Sequence, residues 1–264
     1  MKHFLLLLLF WPILASAQTS KTILTSYQHM LAINRTTQPT FLGSPRRGQS
    51  APANPQNYRF QAMNYLWEGN YEQAVVALEN VALLPKGQGF AGEMYLTQLH
   101  DYDRALCHLT AYDASTPTFD DMIGNNPVSY LLGLTYRSLG NHAEAISQFS
   151  RGIDSLAIKH GSKWVNYRHF VSRAVSYLAI NQPQKALDDL EKASQNYSRS
   201  ALAQYHRGQA LKQLGRKEEA RTAFQNASFL FKALRVERTA NYQEDESNPL
   251  YEPEIDQALA NLKP

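Results

Sequence analysis

A spaced pattern that returns five times constrains this chain more than any other feature. Its clearest copies are Leu132-Gly133…Tyr136…Gly140…Ala145…Phe149 and Arg207-Gly208…Leu211…Gly215…Ala220…Phe224…Ala227. Each copy sets a small residue where two helices would cross and a large residue three positions on. A glycine then ends the first helix, and Ala followed by an aromatic opens the second. Aligned on that alanine, the copies fall at Ala74, Ala105, Ala145, Ala186 and Ala220, in steps of 31, 40, 41 and 34 residues. A period of this size predicts a helical solenoid, because one hairpin cannot bury its apolar face without stacking on its neighbours. Such arrays offer surfaces for recognition rather than enclosed reaction centres.

The individual units make physical sense as hairpins. In the first, Tyr58, Ala62, Tyr65 and Leu66 share one helical face, Gly69-Asn70 turns the chain, and Tyr71, Ala74, Leu78 and Val81 line the return helix until Pro85 stops it. The unit at 167–198 carries Asn181 at the turn, the next-best residue there after glycine. The unit at 87–117 fits worst: His100 stands at the turn and Glu93 where a small residue belongs, which predicts a short or displaced first helix. The two long steps require inserted residues, placed at 113–127 and at 155–163 with Gly161 as the break. The last repeat helix is predicted to run through Arg238. Residues 241–249 are polar and acidic and read as loop. Glu252 to Leu262 is predicted as a final helix with Pro253 in its first turn, and Ile255, Leu259 and Leu262 would close the open end of the stack.

With these residues in register, the chain resembles a tetratricopeptide repeat (TPR) protein over residues 55–232. The resemblance implies an all-α, right-handed superhelical solenoid of antiparallel helix pairs, about five units, with a C-terminal capping helix. It further implies that the first helices of the units line a concave groove that binds an extended or helical peptide. Carried over by register, the groove comprises Arg59 and Met63 in the first unit, Tyr130, Leu134 and Arg137 in the third, Arg168, Val171 and Val175 in the fourth, and Tyr205, Gln209 and Lys212 in the fifth. Its cations would favour an acidic peptide or a C-terminal carboxylate. TPR modules that clamp a C-terminal carboxylate carry a Lys/Asn pattern on their groove helices. Arg59, Met63, Tyr130 and Leu134 do not reproduce it, so a chaperone-tail receptor of that kind is not expected.

Residues 1–17 read as a secretory signal peptide: Lys2 and His3, an apolar run from Phe4 to Leu14 interrupted by Pro12, then Ala15-Ser16-Ala17 before a cut at Gln18. The run is too short for a membrane span. Gln18, not Cys, follows the cut, so a bacterial lipid anchor is not expected. Residues 18–56 form an N-terminal extension, with a helical candidate at Ile23 to Ile33 and a Pro-rich linker over 35–56. The repeats occupy 57–232, and 233–264 hold the C-terminal loop and capping helix. An exported protein is therefore expected, periplasmic or secreted.

Composition removes several function classes. The formal charge is +3 for the whole chain and +2 without Lys2, with no basic block, which argues against nucleic acid as partner. Cys107 is the sole cysteine, so no internal disulfide can form. No nucleophile elbow, phosphate-cradling loop or zinc-peptidase His pair occurs, and no enzyme, cofactor or metal is expected. The densest group of reactive side chains is His100, Asp101, Asp103, Cys107 and His108. The reading favoured for it is structural, with Asp103 at a helix start and Cys107 half-buried. The expected function is non-catalytic protein–protein interaction, partner unidentified; a carbohydrate- or small-ligand-binding module using exposed aromatic platforms is the alternative.

Overall fold

A computed structural model of the chain describes residues 56–115, 120–239 and 241–262. The signal peptide expected at 1–17, the helix expected at 23–33 and the linker expected up to residue 55 lie outside them. The described residues belong to one compact unit, Asn54–Pro264.

Five helical hairpins follow one another within that unit. They are α1 (Gln56–Trp67) with α2 (Tyr71–Ala82), α3 (Gly87–Met94) with α4 (Tyr102–Ala114), α5 (Val128–Ser138) with α6 (His142–His160), α7 (Tyr167–Ala179) with α8 (Pro183–Asn196), and α9 (Ala201–Gln213) with α10 (Lys217–Glu237). A last helix, α11 (Glu252–Ala260), carries Pro253 in its first turn. Its Ala258, with Leu262 just beyond it, packs into a cluster with Leu211, Ala220, Ala223 and Phe224 from the fifth hairpin.

The small residue of each first helix sets the crossing. A Cβ on Gly133 would lie 2.5 Å from the Phe149 ring, and one on Gly208 would lie 2.5 Å from the Phe224 ring. Sixteen residues separate the partners in each case, and the same spacing relates Ala62 to Leu78 and Ala174 to Leu190, all fully buried. The five turn residues, Gly69, His100, Gly140, Asn181 and Gly215, all have positive φ, from 51° to 81°. That region closes a helix C-terminus with least strain for Gly and Asn.

The second hairpin departs from this scheme in one residue. Its α-helix ends at Met94 and continues as a π-helical turn, Tyr95–Leu99, before His100. A π turn accommodates one extra residue, so the crossing position moves back from Glu93 to Gly92. A Cβ on Gly92 would meet Leu109 at 2.7 Å, and Gly92 and Leu109 are seventeen residues apart rather than sixteen. The short first helix expected here is thus a helix with one residue inserted near its end.

The two insertions differ in character. In the first, Met122–Ile123 pairs antiparallel with Asn126–Pro127, and Ile123 drops into the core. Buried Asp120 accepts hydrogen bonds from Ser129 N (3.1 Å) and Oγ (2.6 Å), anchoring the start of α5. In the second, α6 runs on to His160, Gly161 ends it, and a 3-10 turn, Ser162–Trp164, leads into α7. Asn196 donates to the carbonyls of Ser162 and Val165, fastening that turn to α8. Besides that C-terminal cluster, the apolar core among the described residues has one cluster spanning Ala62 to Phe149 and another from Ile153 to Ile255.

The crossing rule is open to test. Gly208→Val forces branched carbons onto the Phe224 ring and is expected to cost about 1–3 kcal/mol, as overpacking does. A fall in the urea midpoint with unchanged slope checks this, and an unchanged midpoint would remove the close approach as the organising contact.

Candidate partner groove

The first helices α5, α7 and α9 lie side by side and present one polar face. Across it sits the loop between α10 and α11. Glu244 reaches the start of α9, where Ser200 Oγ and the backbone N–H groups of Ala201 (2.9 Å) and Leu202 (3.3 Å) donate to its carboxylate. These are among the N–H groups that a helix cannot satisfy internally, so an anion is favoured there. Ser200 Oγ also accepts from Ala203 N at 2.9 Å, completing the cap. The Glu244 carbonyl accepts from Arg168 Nη2.

The tip of the loop reaches the next two helices. Arg137 donates from Nη1 to Asn248 Oδ1 and from Nη2 to the Ser247 carbonyl (2.7 Å). Asn248 Nδ2 donates to Ser172 Oγ at 3.1 Å and to Asp245 Oδ2 at 2.6 Å, while Ser172 Oγ pairs with Tyr130 Oη at 3.1 Å. Ser247 N donates to Asp245 Oδ1, closing the tip as an Asx turn. Leu250 N donates to Gln243 Oε1, which brings the two ends of the loop together. Leu250 is buried beside Ala201, Phe231 and Leu234.

The expected groove residues separate into three groups. Arg137 and Arg168 hold the loop. Tyr130, Leu134 and Val171 are buried, so they do not offer open contact area. The Tyr130 ring stacks on His169 at 4.0 Å between centroids and lies 5.6 Å from Phe149. Arg59, Met63, Val175, Tyr205 and Gln209 are half-buried and Lys212 is exposed. Arg59 lies over the Phe90 ring, and Gln209 Nε2 donates to Tyr205 Oη at 2.9 Å. Sequence register did not mark Ser172, Ser200 or His169, nor residues 243–250. The one available signal was the acidic run Glu244-Asp245-Glu246 set against Arg137 and Arg168.

Burial governs the electrostatics. It pushes the Glu244 carboxyl up, against the pull of its hydrogen bonds to Ser200 and the α9 backbone. It pushes His169 down to about 4, and burial together with the Arg137 charge pushes His206 down to about 4. His169 Nδ1 and Arg168 Nε are buried without hydrogen-bond partners. Beneath this face, Arg173 makes a two-pronged ion pair with buried Asp189 (2.7 Å each) and donates to Ser150 Oγ, joining α6, α7 and α8.

The reactive cluster around Cys107 does not converge. His100 is exposed at the turn, and Asp101 caps α4 by accepting from Arg104 N at 3.1 Å. Cys107 is exposed rather than half-buried, because it falls on the outer face of α4. His108 turns inward, stacks on Tyr95, and pairs with Gln88 Oε1 (2.6 Å) and Glu79 Oε1 (3.4 Å). Tyr95 Oη donates to the same Glu79 oxygen at 2.6 Å, and these bonds, led by His108, hold the Glu79 carboxyl below its usual range.

Two stretches match tetratricopeptide repeat profiles, residues 127–155 and 171–228. No curated protein matches the chain. Among solved structures it resembles MamA. MamA 41-end from Desulfovibrio magneticus RS-1 superposes with a TM-score of 0.55 at 17% identity, over 72% of this chain and 99% of that one. An RS-1 MamA double mutant gives 0.57 at 15% over 70% and 98%. MamA from AMB-1 gives 0.53 at 22% over 67% and 98%. Together with the crossing pattern, these matches define the fold as an all-α tetratricopeptide-repeat solenoid.

Charging buried His169 should cost stability. Folded His169 takes its proton only near pH 4, whereas the unfolded residue takes it near 6.5. The unfolded state therefore binds more protons between these values, and stability is full above about pH 6.5 and falls toward pH 4, by on the order of 3 kcal/mol for this residue. Urea midpoints at pH 7 and pH 4.5 measure the drop. His169→Gln should shrink it; an unchanged drop would assign the titration elsewhere.

Proposed function

We propose that the chain is an exported, non-catalytic scaffold that binds a partner protein through the face formed by its first helices. One observation carries this reading: that face already holds a peptide segment, through two arginines, two serines and the N terminus of α9. Tetratricopeptide repeats and the likeness to MamA supply the fold context. Export rests on the apolar run and the Ala15-Ser16-Ala17 site in the sequence. The carbohydrate reading gains nothing from the site, since Tyr130 is buried and Tyr205 leans on Phe224 rather than offering an open platform.

A photo-crosslinking amino acid at Gln209 or Lys212, on α9, should capture a partner in native cells, while the same group at exposed Glu191 on α8 should not. Equal capture from all three positions would sink the groove reading. Mass spectrometry of the native protein should find a mature N terminus at Gln18; a chain still carrying residues 1–17 would sink export.

A further inference from the structure

We propose that residues 243–250 are a resident, displaceable occupant of the partner site, and that the partner presents an acidic turn of the same chemistry. This rests on the reading that the face binds partners. The loop is a compact turn whose tip spans three successive first helices: Glu244 on α9 and α7, Asn248 on α7 and α5. What the site recognises is a carboxylate for the α9 N terminus, a carbonyl for Arg168, and a carboxamide shared between Ser172 and Arg137. None of these contacts depends on the loop belonging to the same chain.

The loop also leaves the site unsaturated. Arg168, whose Nη2 holds the Glu244 carbonyl, has its Nε buried without a partner, so an incoming segment with one further acceptor gains a hydrogen bond that the loop lacks. The loop's own grip is mainly polar. Glu244, Asp245 and Asn248 are all buried, and the cost of dehydrating them offsets much of what their hydrogen bonds return. Leu250 is its one buried apolar side chain. The tether compensates: a short linker gives an effective concentration on the order of millimolar, which a free partner must overcome. The loop therefore sets a threshold, excluding weak acidic ligands and yielding to a segment that fills the site better.

The probe is a fluorescent head-to-tail cyclic peptide of residues 242–251, closed because Gln243 and Leu250 already meet in the fold. Anisotropy is measured with three full-length proteins: wild type, Glu244→Ala/Asp245→Ala/Asn248→Ala, and that triple variant with Arg137→Ala and Arg168→Ala added. The peptide should bind the triple variant at least tenfold more tightly than wild type, and the added arginine changes should abolish binding. Circular dichroism verifies the helices; should the triple variant not fold, Glu244→Gln, which keeps the side-chain volume, takes its place with the same expected direction. Equal binding to wild type and variant, or none to the folded variant, overturns the inference. If crosslinks at Gln209 and Lys212 persist alongside that result, the groove reading stands and only the resident-occupant reading falls. If those crosslinks also fail, both fall.

Discussion

The contact on which this structure depends is the close approach of a glycine or alanine to a large side chain on the following helix. Gly133 against Phe149 and Gly208 against Phe224 leave no room for a Cβ, so the two helices of a hairpin meet nearly backbone to ring. Close packing of this kind fixes the crossing within narrow limits, since interiors tolerate neither voids nor overlap. Once the crossing is fixed, successive hairpins stack in one way, and α5, α7 and α9 come side by side. The polar face is a by-product of that stacking. Side chains that could not fill the hairpin crossings are gathered on the opposite side of the first helices, where Arg137, Arg168, Ser172 and Ser200 meet.

That face coincides with a seam in the core. The first apolar cluster ends at Phe149 and the second begins at Ile153, and the helices that contribute to each, α5 and α7, carry buried Ser129, Thr135, His169, Ser172 and Ser176. A seam of polar groups needs hydrogen bonds to be tolerable. The chain supplies one set through Tyr130 to Ser172 to Asn248 to Asp245, a relay that begins on α5 and ends in the C-terminal loop, and leaves His169 Nδ1 without one. The bidentate Arg173–Asp189 pair does the same on the other side of α7. Removing one member of such a buried pair leaves the other charged and unmatched, which costs more than the pair contributes.

The sequence carried the local rules plainly and the long-range ones hardly at all. Turn residues were legible, Asn181 and His100 included, because left-handed backbone has a short list of tolerated side chains. The final helix was legible from Pro253 and from the apolar spacing after it. The weak unit was legible as weak, but not the reason: a π turn has no side-chain signature, and only the offset between Gly92 and Leu109 betrays it. Burial of Tyr130, Leu134 and Val171 depended on which neighbours stack beside them, which register alone does not encode. Asn248 meets Arg137 across 111 positions of chain, so a segment that reads locally as solvated loop became part of the site. Cys107 went the other way: its apolar character suggested partial burial, but its side chain is exposed.

The π turn at Tyr95–Leu99 carries a consequence for how such a chain can change over time. A single added residue in an ordinary helix rotates everything beyond it by about 100° and would scramble every later contact. Here the disturbance is confined within one helical turn, and His100 resumes the left-handed bend that the other hairpins use. The third, fourth and fifth hairpins keep their sixteen-residue spacing untouched. Length errors in one module are thus quarantined from its neighbours, so the array can diverge unit by unit while the geometry that brings Arg137, Arg168 and Ser200 together is inherited whole.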